Sequence, residues 1–206
     1  MTALFLSAFA TLFVMIDPVG VAPLFATLTQ GAKLRRRAAI ALRGVAIGGA
    51  LLLLFGLLGD AVLNAVGISL PAFRIAGGLM LFLLAVDMLF EKRSERRKQT
   101  TDAEAEAPDP SVFPLATPLI AGPGALTAMI LLAGEAGRVE GGAFAVYGAL
   151  AAVLAITFLM LLATELIERA LGATGIKAMT RLFGMLLGAL AVQFVLDGVR
   201  AFSATL

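Results

Sequence analysis

Residues 10–25 read ATLFVMIDPVGVAPLF, an apolar run with the polar and helix-breaking segment Asp17-Pro18-Val19-Gly20-Val21-Ala22-Pro23 set into it. The flanks suit a helix in an apolar medium, and the insert resists one. Proline removes a backbone N–H and crowds the carbonyl one turn earlier, while glycine favours non-helical backbone. A second run, LATPLIAGP at residues 115–123, ends in the same way at Gly122-Pro123-Gly124, with Thr117 and Pro118 about one turn before. Two apolar helices, each interrupted near its middle, are therefore expected.

Composition fixes the medium. Hydrophobic residues make up 60% of the 206 and charged residues 15%, against roughly 25% charged in an average soluble domain. Polar surface could not cover such an inventory in water, whereas lipid solvates it directly. Residues 1–16, 44–59, 111–134, 141–164 and 182–196 contain no Asp, Glu, Lys or Arg. A spanning helix needs roughly 20 mainly apolar residues at 1.5 Å each to cross about 30 Å of hydrocarbon. Helices are expected near 3–30, 39–64, 71–90, 112–134, 142–167 and 179–203. The opening MTALFLSAFA lacks the positive start of a cleavable signal peptide and is read as part of the first span, retained in the mature protein. The expected fold is an all-α membrane protein of six transmembrane helices, with helices 1 and 4 broken at mid-membrane.

Between the third and fourth helices lies EKRSERRKQTTDAEAEAPDP, charged and poor in bulky apolar residues. Such a segment cannot bury enough surface to fold and is expected to be a mobile linker. The chain thus divides into a first three-helix unit over 1–90, a charged linker over 91–111 and a second three-helix unit over 112–206. Orientation follows from charge. The loop after helix 1, the linker and the region before helix 6 carry thirteen of the sixteen basic residues; the opposite side has only Arg74, Arg138 and Arg200. Positive residues mark the cytoplasmic side. The linker is expected there, with both termini outside the cytoplasmic (inner) membrane.

The two units also resemble each other. GISLPAFRIAGGLMLFLLAVDML at residues 67–89 aligns with GIKAMTRLFGMLLGALAVQFVL at 175–196, making Arg74 and Arg181, and Asp87 and Gln193, approximate counterparts. An odd number of helices per unit means that the two must be inverted relative to each other. Inverted repeats with paired broken helices are the sequence pointer to a midplane binding site in secondary transporters. Half-helices beginning after Pro18 and Pro123 would present N–H groups and positive dipole ends, suited to a carboxylate. Half-helices ending before the breaks would present carbonyl oxygens, suited to an ammonium group or a cation. A zwitterion offers both charges. Proline kinks that merely shape packing are the plain alternative, and they are common in membrane helices.

The candidate substrate-binding set is Asp17, Pro18, Gly20, Val21, Thr117, Gly122, Pro123, Gly124 and Gln193. Asp17 is the ionisable residue placed near mid-membrane, where such a group defaults to a functional reading. Proton carrier, cation ligand and anchor for a substrate ammonium all fit it, as does a purely structural role as N-cap before an N1 proline. Gln193 suits a cavity wall or a hydrogen bond between helices. The chain has no cysteine and no histidine. Thiol redox chemistry, thiolate metal sites and imidazole bases are excluded, and no metal or other cofactor is expected. A divalent-cation exporter would want several carboxylates or imidazoles. A hydrolase would want a catalytic set at depth. The net charge of +2 reads as topology rather than nucleic-acid binding.

The IDPVG segment, RIAGGLMLFLLAVDML, PLIAGPGA and RLFGMLLGALAVQFVLDG, taken in this order, resemble the MarC family over essentially the whole chain. That resemblance implies a six-helix inverted-repeat transporter for small neutral amino acids such as glycine and alanine, and not an enzyme. It puts substrate between the broken helices, at Asp17, Pro18, Gly20, Gly122, Pro123 and Gly124. A proton or sodium ion would be the coupling ion, with membrane lipid as the surrounding partner. Export of another small metabolite or of a cation is the alternative.

Overall fold

The computed structural model describes residues 1–90 and 109–203, and every element among them is helical. The elements are α1 (Thr2–Ile16), α2 (Pro18–Leu28), α3 (Leu34–Ala65), α4 (Leu70–Leu89), α5 (Ser111–Ile120), α6 (Pro123–Ala136), α7 (Gly142–Leu162) and α8 (Thr164–Ser203). Of the expected linker, residues 91–108 lie outside the described residues. Among the described residues five stretches are long and apolar enough to cross a membrane: Thr2–Ala26, Leu34–Gly59, Leu70–Leu89, Gly142–Leu162 and Thr174–Ser203. Ser111–Ile120 and Gly124–Ala136, bent by 57°, make a sixth if counted as one span.

The two interruptions differ in kind. Between α1 and α2 a single residue, Asp17, leaves the helix, at φ 54 and ψ 63. Hydrogen bonding resumes at once on either side, from the Asp17 N–H to Phe13 O at 2.9 Å and from the Val21 N–H to Asp17 O at 3.0 Å. Residues 2–26 therefore still pass as one span. The second interruption is deeper. Phe113 and Thr117 are extended within α5, whose Pro114 and Pro118 lack N–H donors, and Pro123 then opens α6 in a new direction. At the start of α5 the Ser111 hydroxyl and N–H both donate to Asp109, at 2.6 and 3.0 Å, holding its carboxyl below the usual carboxylate range.

The fifth and sixth helices also differ from expectation. α7 stops at Leu162 rather than near 167, where the Thr164 hydroxyl donates to Leu161 O at 2.6 Å. α8 starts at Thr164, well before 179, and is broken at Gly172, whose φ of 60 only glycine adopts freely. Apolar periodicity locates a span but not the polar turn that precedes it.

Contacts define two ends of the bundle. At one end Met1 lies against Gly141, Leu70 against Gly134, and Pro71 and Ile75 against Gly198. At the other, Arg37 pairs with Glu165 at 2.7 Å, Arg43 with Asp109 at 3.8 Å, and Gly44 packs on Leu115. α4 and α8 form the most extensive helix pair. A Cβ on Gly78 would stand 2.8 Å from Ala191 O and 3.0 Å from Val195 N; one on Gly184 would stand 3.2 Å from Ala85 O and 3.3 Å from Leu89 N. Bare backbone at those two positions is what lets the helices approach so closely. Leu12, Met15, Phe25, Leu81, Leu119 and Met129 belong to one shared core. Leu53, Leu54, Phe55, Leu57 and Leu58 on α3 are exposed, a surface suited to lipid rather than water.

Candidate functional site

The space around the two interruptions is built by the chain leaving α1 and the chain starting α6. Pro18 has no N–H to give the Val14 carbonyl, so the helix ladder fails there whatever the surroundings. Asp17 fills the gap from the other side. Its Oδ1 accepts the Gly20 N–H at 3.1 Å, and the residue is 1% exposed. This satisfies one of the orphan donors of the first turn of α2, and the carboxylate lies at that helix's positive end. Gly20 is confined by the same contact: a Cβ there would strike the Asp17 carboxylate.

The start of α6 is different. Its N-cap is Gly122, at φ −77 and ψ 165, and no side chain caps it. The Leu126 N–H returns to Gly122 O at 3.0 Å, and the Ala121 N–H reaches back to Ala116 O at 2.8 Å. A Cβ on Gly122 would meet Pro118 O at 2.6 Å, so only glycine fits beneath that carbonyl. The two interruptions touch. Gly124, in the first turn of α6, lies against the Met15 methyl of α1, with Leu84 of α4 also at its Cα.

The candidate residues named from sequence divide accordingly. Asp17, Pro18 and Val21 are buried, and Gly20, Gly122 and Gly124 are half-buried beside the breaks. Pro123 opens α6 as its first residue. Thr117 is exposed in extended backbone. Gln193 is exposed as well, and its Nε2 donates to Asp197 Oδ1 at 2.9 Å, one turn along α8. The fold brings the first seven towards two adjoining helix ends and leaves Thr117 and Gln193 on the surface.

Two charged clusters were not legible as sites in the sequence. At the Met1 end, Arg74 of α4 is buried and its Nη2 lies 3.2 Å from Glu135 Oε1 of α6. The Asp197 and Arg138 charges act on the same carboxylate. Glu135 closes the charge-free stretch 111–134 and Arg74 stands alone on α4 until Asp87, but nothing local couples them. At the opposite end, the Arg37 guanidinium sits 6.0 Å from the centre of the Phe25 ring and pairs with Glu165. A cleft of about 280 Å³ opens there between Leu34, Arg37, Leu162, Ala163, Glu165 and Leu166.

The family model described as MarC family integral membrane protein matches residues 2–203. A UPF0056 membrane protein of Methanocaldococcus jannaschii is 38% identical over 197 residues, covering 95% of this chain and 96% of the relative. The UPF0056 membrane protein YvbG of Bacillus subtilis is 36% identical, covering 93% and 92%. The UPF0056 inner membrane protein YhgN of Escherichia coli (strain K12) is 33% identical, covering 95% of each. No solved structure matches the chain.

Proposed function

The chain belongs to the MarC family of integral membrane proteins, and from that premise we propose that it is a secondary transporter of small neutral amino acids, glycine and alanine foremost. It is a multi-pass protein of the membrane; the inner-membrane relative favours the cytoplasmic membrane. Substrate binds at the midplane between the α1–α2 and α5–α6 interruptions and is released to alternate sides. The observation that carries this reading is the meeting of the two interruptions at Met15 and Gly124, with unlike chemistry on the two sides. The first turn of α6, capped by no side chain, suits the substrate carboxylate. The buried Asp17 carboxylate and the Val14 carbonyl suit its ammonium. The two charges of an α-amino acid lie only a few ångströms apart, and a short side chain keeps the ligand compatible with so crowded a junction.

An inverted repeat supports alternating access. Gly78 rests on Ala191 O and Val195 N, and Gly184 rests on Ala85 O and Leu89 N. From Gly78 to Gly184, Ala85 to Ala191 and Leu89 to Val195, each partner is displaced by 106 residues. Such reciprocal contacts are what a two-fold relation between halves 1–90 and 112–206 would produce. It supports the same reading that α1 packs on α7 as α5 packs on α3, and α2 on α8 as α6 on α4. The basic residues Lys33, Arg35, Arg36, Arg37 and Arg43 gather at the end opposite Met1, which favours a cytoplasmic position for that end and an outward one for both termini.

The test is purified protein in liposomes, with labelled glycine, alanine, serine and leucine under imposed proton or sodium gradients. Saturable uptake of the small amino acids, driven by one of the gradients, is expected. Equal flux of leucine and glycine, or none above empty liposomes, would overturn the reading.

A further inference from the structure

Arg74 is the buried cation of the Met1 end, and its surroundings are unusual. Its side chain is 7% exposed and that of its partner Glu135 27% exposed. The two form an ion pair without a hydrogen bond: Nη2, though fully buried, finds no acceptor in hydrogen-bonding alignment. A second carboxylate stands close by. Asp197 of α8 acts electrostatically on Glu135. It precedes Gly198, whose backbone packs on Pro71 and Ile75, on either side of Arg74. Two carboxylates from different helices thus bear on this end of α4: Glu135, paired with Arg74, and Asp197, whose charge reaches Glu135 and whose Oδ1 accepts from Gln193.

These two helices are not held to α4 equally. α4 and α8 are the most extensive pair in the fold and are locked by close backbone approaches at Gly78, Gly184 and Gly198. The contact between α4 and α6 is much smaller, resting at this end on Gly77 against Thr127, on Leu70 against Gly134 and on the ion pair. Removing one partner of a buried ion pair leaves an uncompensated charge, which is strongly unfavourable unless another partner is at hand.

We propose that Glu135 is a proton-binding site whose occupancy decides whether α6 is held to α4. With Glu135 ionised, Arg74 bridges the two helices. When Glu135 takes a proton from the aqueous side, it becomes a neutral carboxylic acid, Arg74 turns to Asp197, and the outer part of α6 is free to move away from the fixed α4–α8 pair. The groups facing Glu135 are Arg74 from α4, Asp197 from α8 and Arg138 from the turn after α6. α1 has no ionisable side chain and α7 only Tyr147, while on α3 the arginines lie in its first half and Asp60 comes near its end. The consequence for transport, a proton that opens one face of the carrier, rests on the transporter reading; the latch itself does not.

The experiment therefore measures the latch without substrate. The chain has no native cysteine, so spin labels can be placed at Ile68 and Val139, in the turns bordering α4 and α6, and in a control pair at Ile68 and Val199 across α4 and α8. Distances are read by pulsed dipolar spectroscopy in lipid between pH 8 and pH 5. The α4–α6 pair should gain a longer population as pH falls, while the α4–α8 pair stays fixed. Glu135→Gln, nearly the same size and unable to ionise, should show the longer population at every pH. Asp197→Asn, which leaves Arg74 only Glu135, should keep the short population to lower pH than the native protein does. A distance independent of pH in the native protein, or a pH response that survives in Glu135→Gln, overturns the proposal. Absence of amino-acid uptake alongside the expected distances would sink the substrate assignment and leave the latch standing.

Discussion

The methyl group of Met15, in the last turn of α1, occupies the space beside the Cα of Gly124, in the first turn of α6. Gly124 belongs to the substrate-binding set expected from the sequence, and a residue without a side chain leaves room beside its Cα. In the fold that room is taken by Met15 and Leu84. What Gly124 contributes to the fold is bare backbone, which permits the closeness of α1 and α6.

Substituting Gly124 tests this directly. Gly124→Val forces branched carbons into Met15 and Leu84, and overpacking of this kind costs about 1–3 kcal/mol. The thermal midpoint in detergent should fall. Gly124→Ala combined with Met15→Ala should cost less than the sum of the two single changes, because each relieves the other. Strict additivity in that double-mutant cycle would show that the two residues are not neighbours.

Asp17→Asn separates charge from capping. Asparagine keeps an acceptor for the Gly20 N–H and tolerates the positive φ of 54 seen at Asp17. Thermal stability should change little. If the carboxylate holds a substrate ammonium or carries a proton, the lost charge-assisted interaction is worth roughly 1.5–3 kcal/mol, about ten- to a hundredfold in glycine affinity. Asp17→Ala, by contrast, loses the cap at a cost of about 0.5–2 kcal/mol. Unchanged glycine binding and unchanged pH dependence in Asp17→Asn would reduce Asp17 to a helix cap.

The Arg37–Glu165 and Arg74–Glu135 ion pairs should differ in weight. Glu165 is 69% exposed at its side chain, so Glu165→Gln should change stability by no more than about 1 kcal/mol. Arg74 is buried beside Glu135, and Arg74→Ala strands a carboxylate at a cost nearer 3–5 kcal/mol, lessened where water reaches Glu135. Paired thermal-shift measurements decide it. Equal losses for the two variants would contradict the difference in burial.

Sidedness is read by labelling. A cysteine at Gln30, in the turn between α2 and α3, should be shielded from an impermeant maleimide in intact cells. One at Val139, 43% exposed in the turn after α6, should react. The reverse pattern would invert the proposed orientation.

The sequence alone determined the medium and the places where proline denies the helix ladder a donor. Long charge-free runs cannot be solvated by water, and proline cannot donate a ladder hydrogen bond wherever it is placed, so both properties are local. The same locality marks Pro18 and Pro123 in the sequence but leaves the backbone geometry around them open. Whether a proline costs one residue, as at Asp17, or a bend of 57°, as before α6, depends on how many neighbouring donors are lost and what packs around them. Boundaries at Thr164 and Gly172 were likewise hidden, because a polar turn next to an apolar span has no period of its own. Only the tertiary structure decided which residues meet. Met15 beside Gly124, Gly78 over the Ala191 carbonyl, and Arg74 of α4 paired with Glu135 of α6 join positions that lie far apart in the chain. No local pattern encodes such pairings; they follow from the close packing of helices that only a folded bundle imposes.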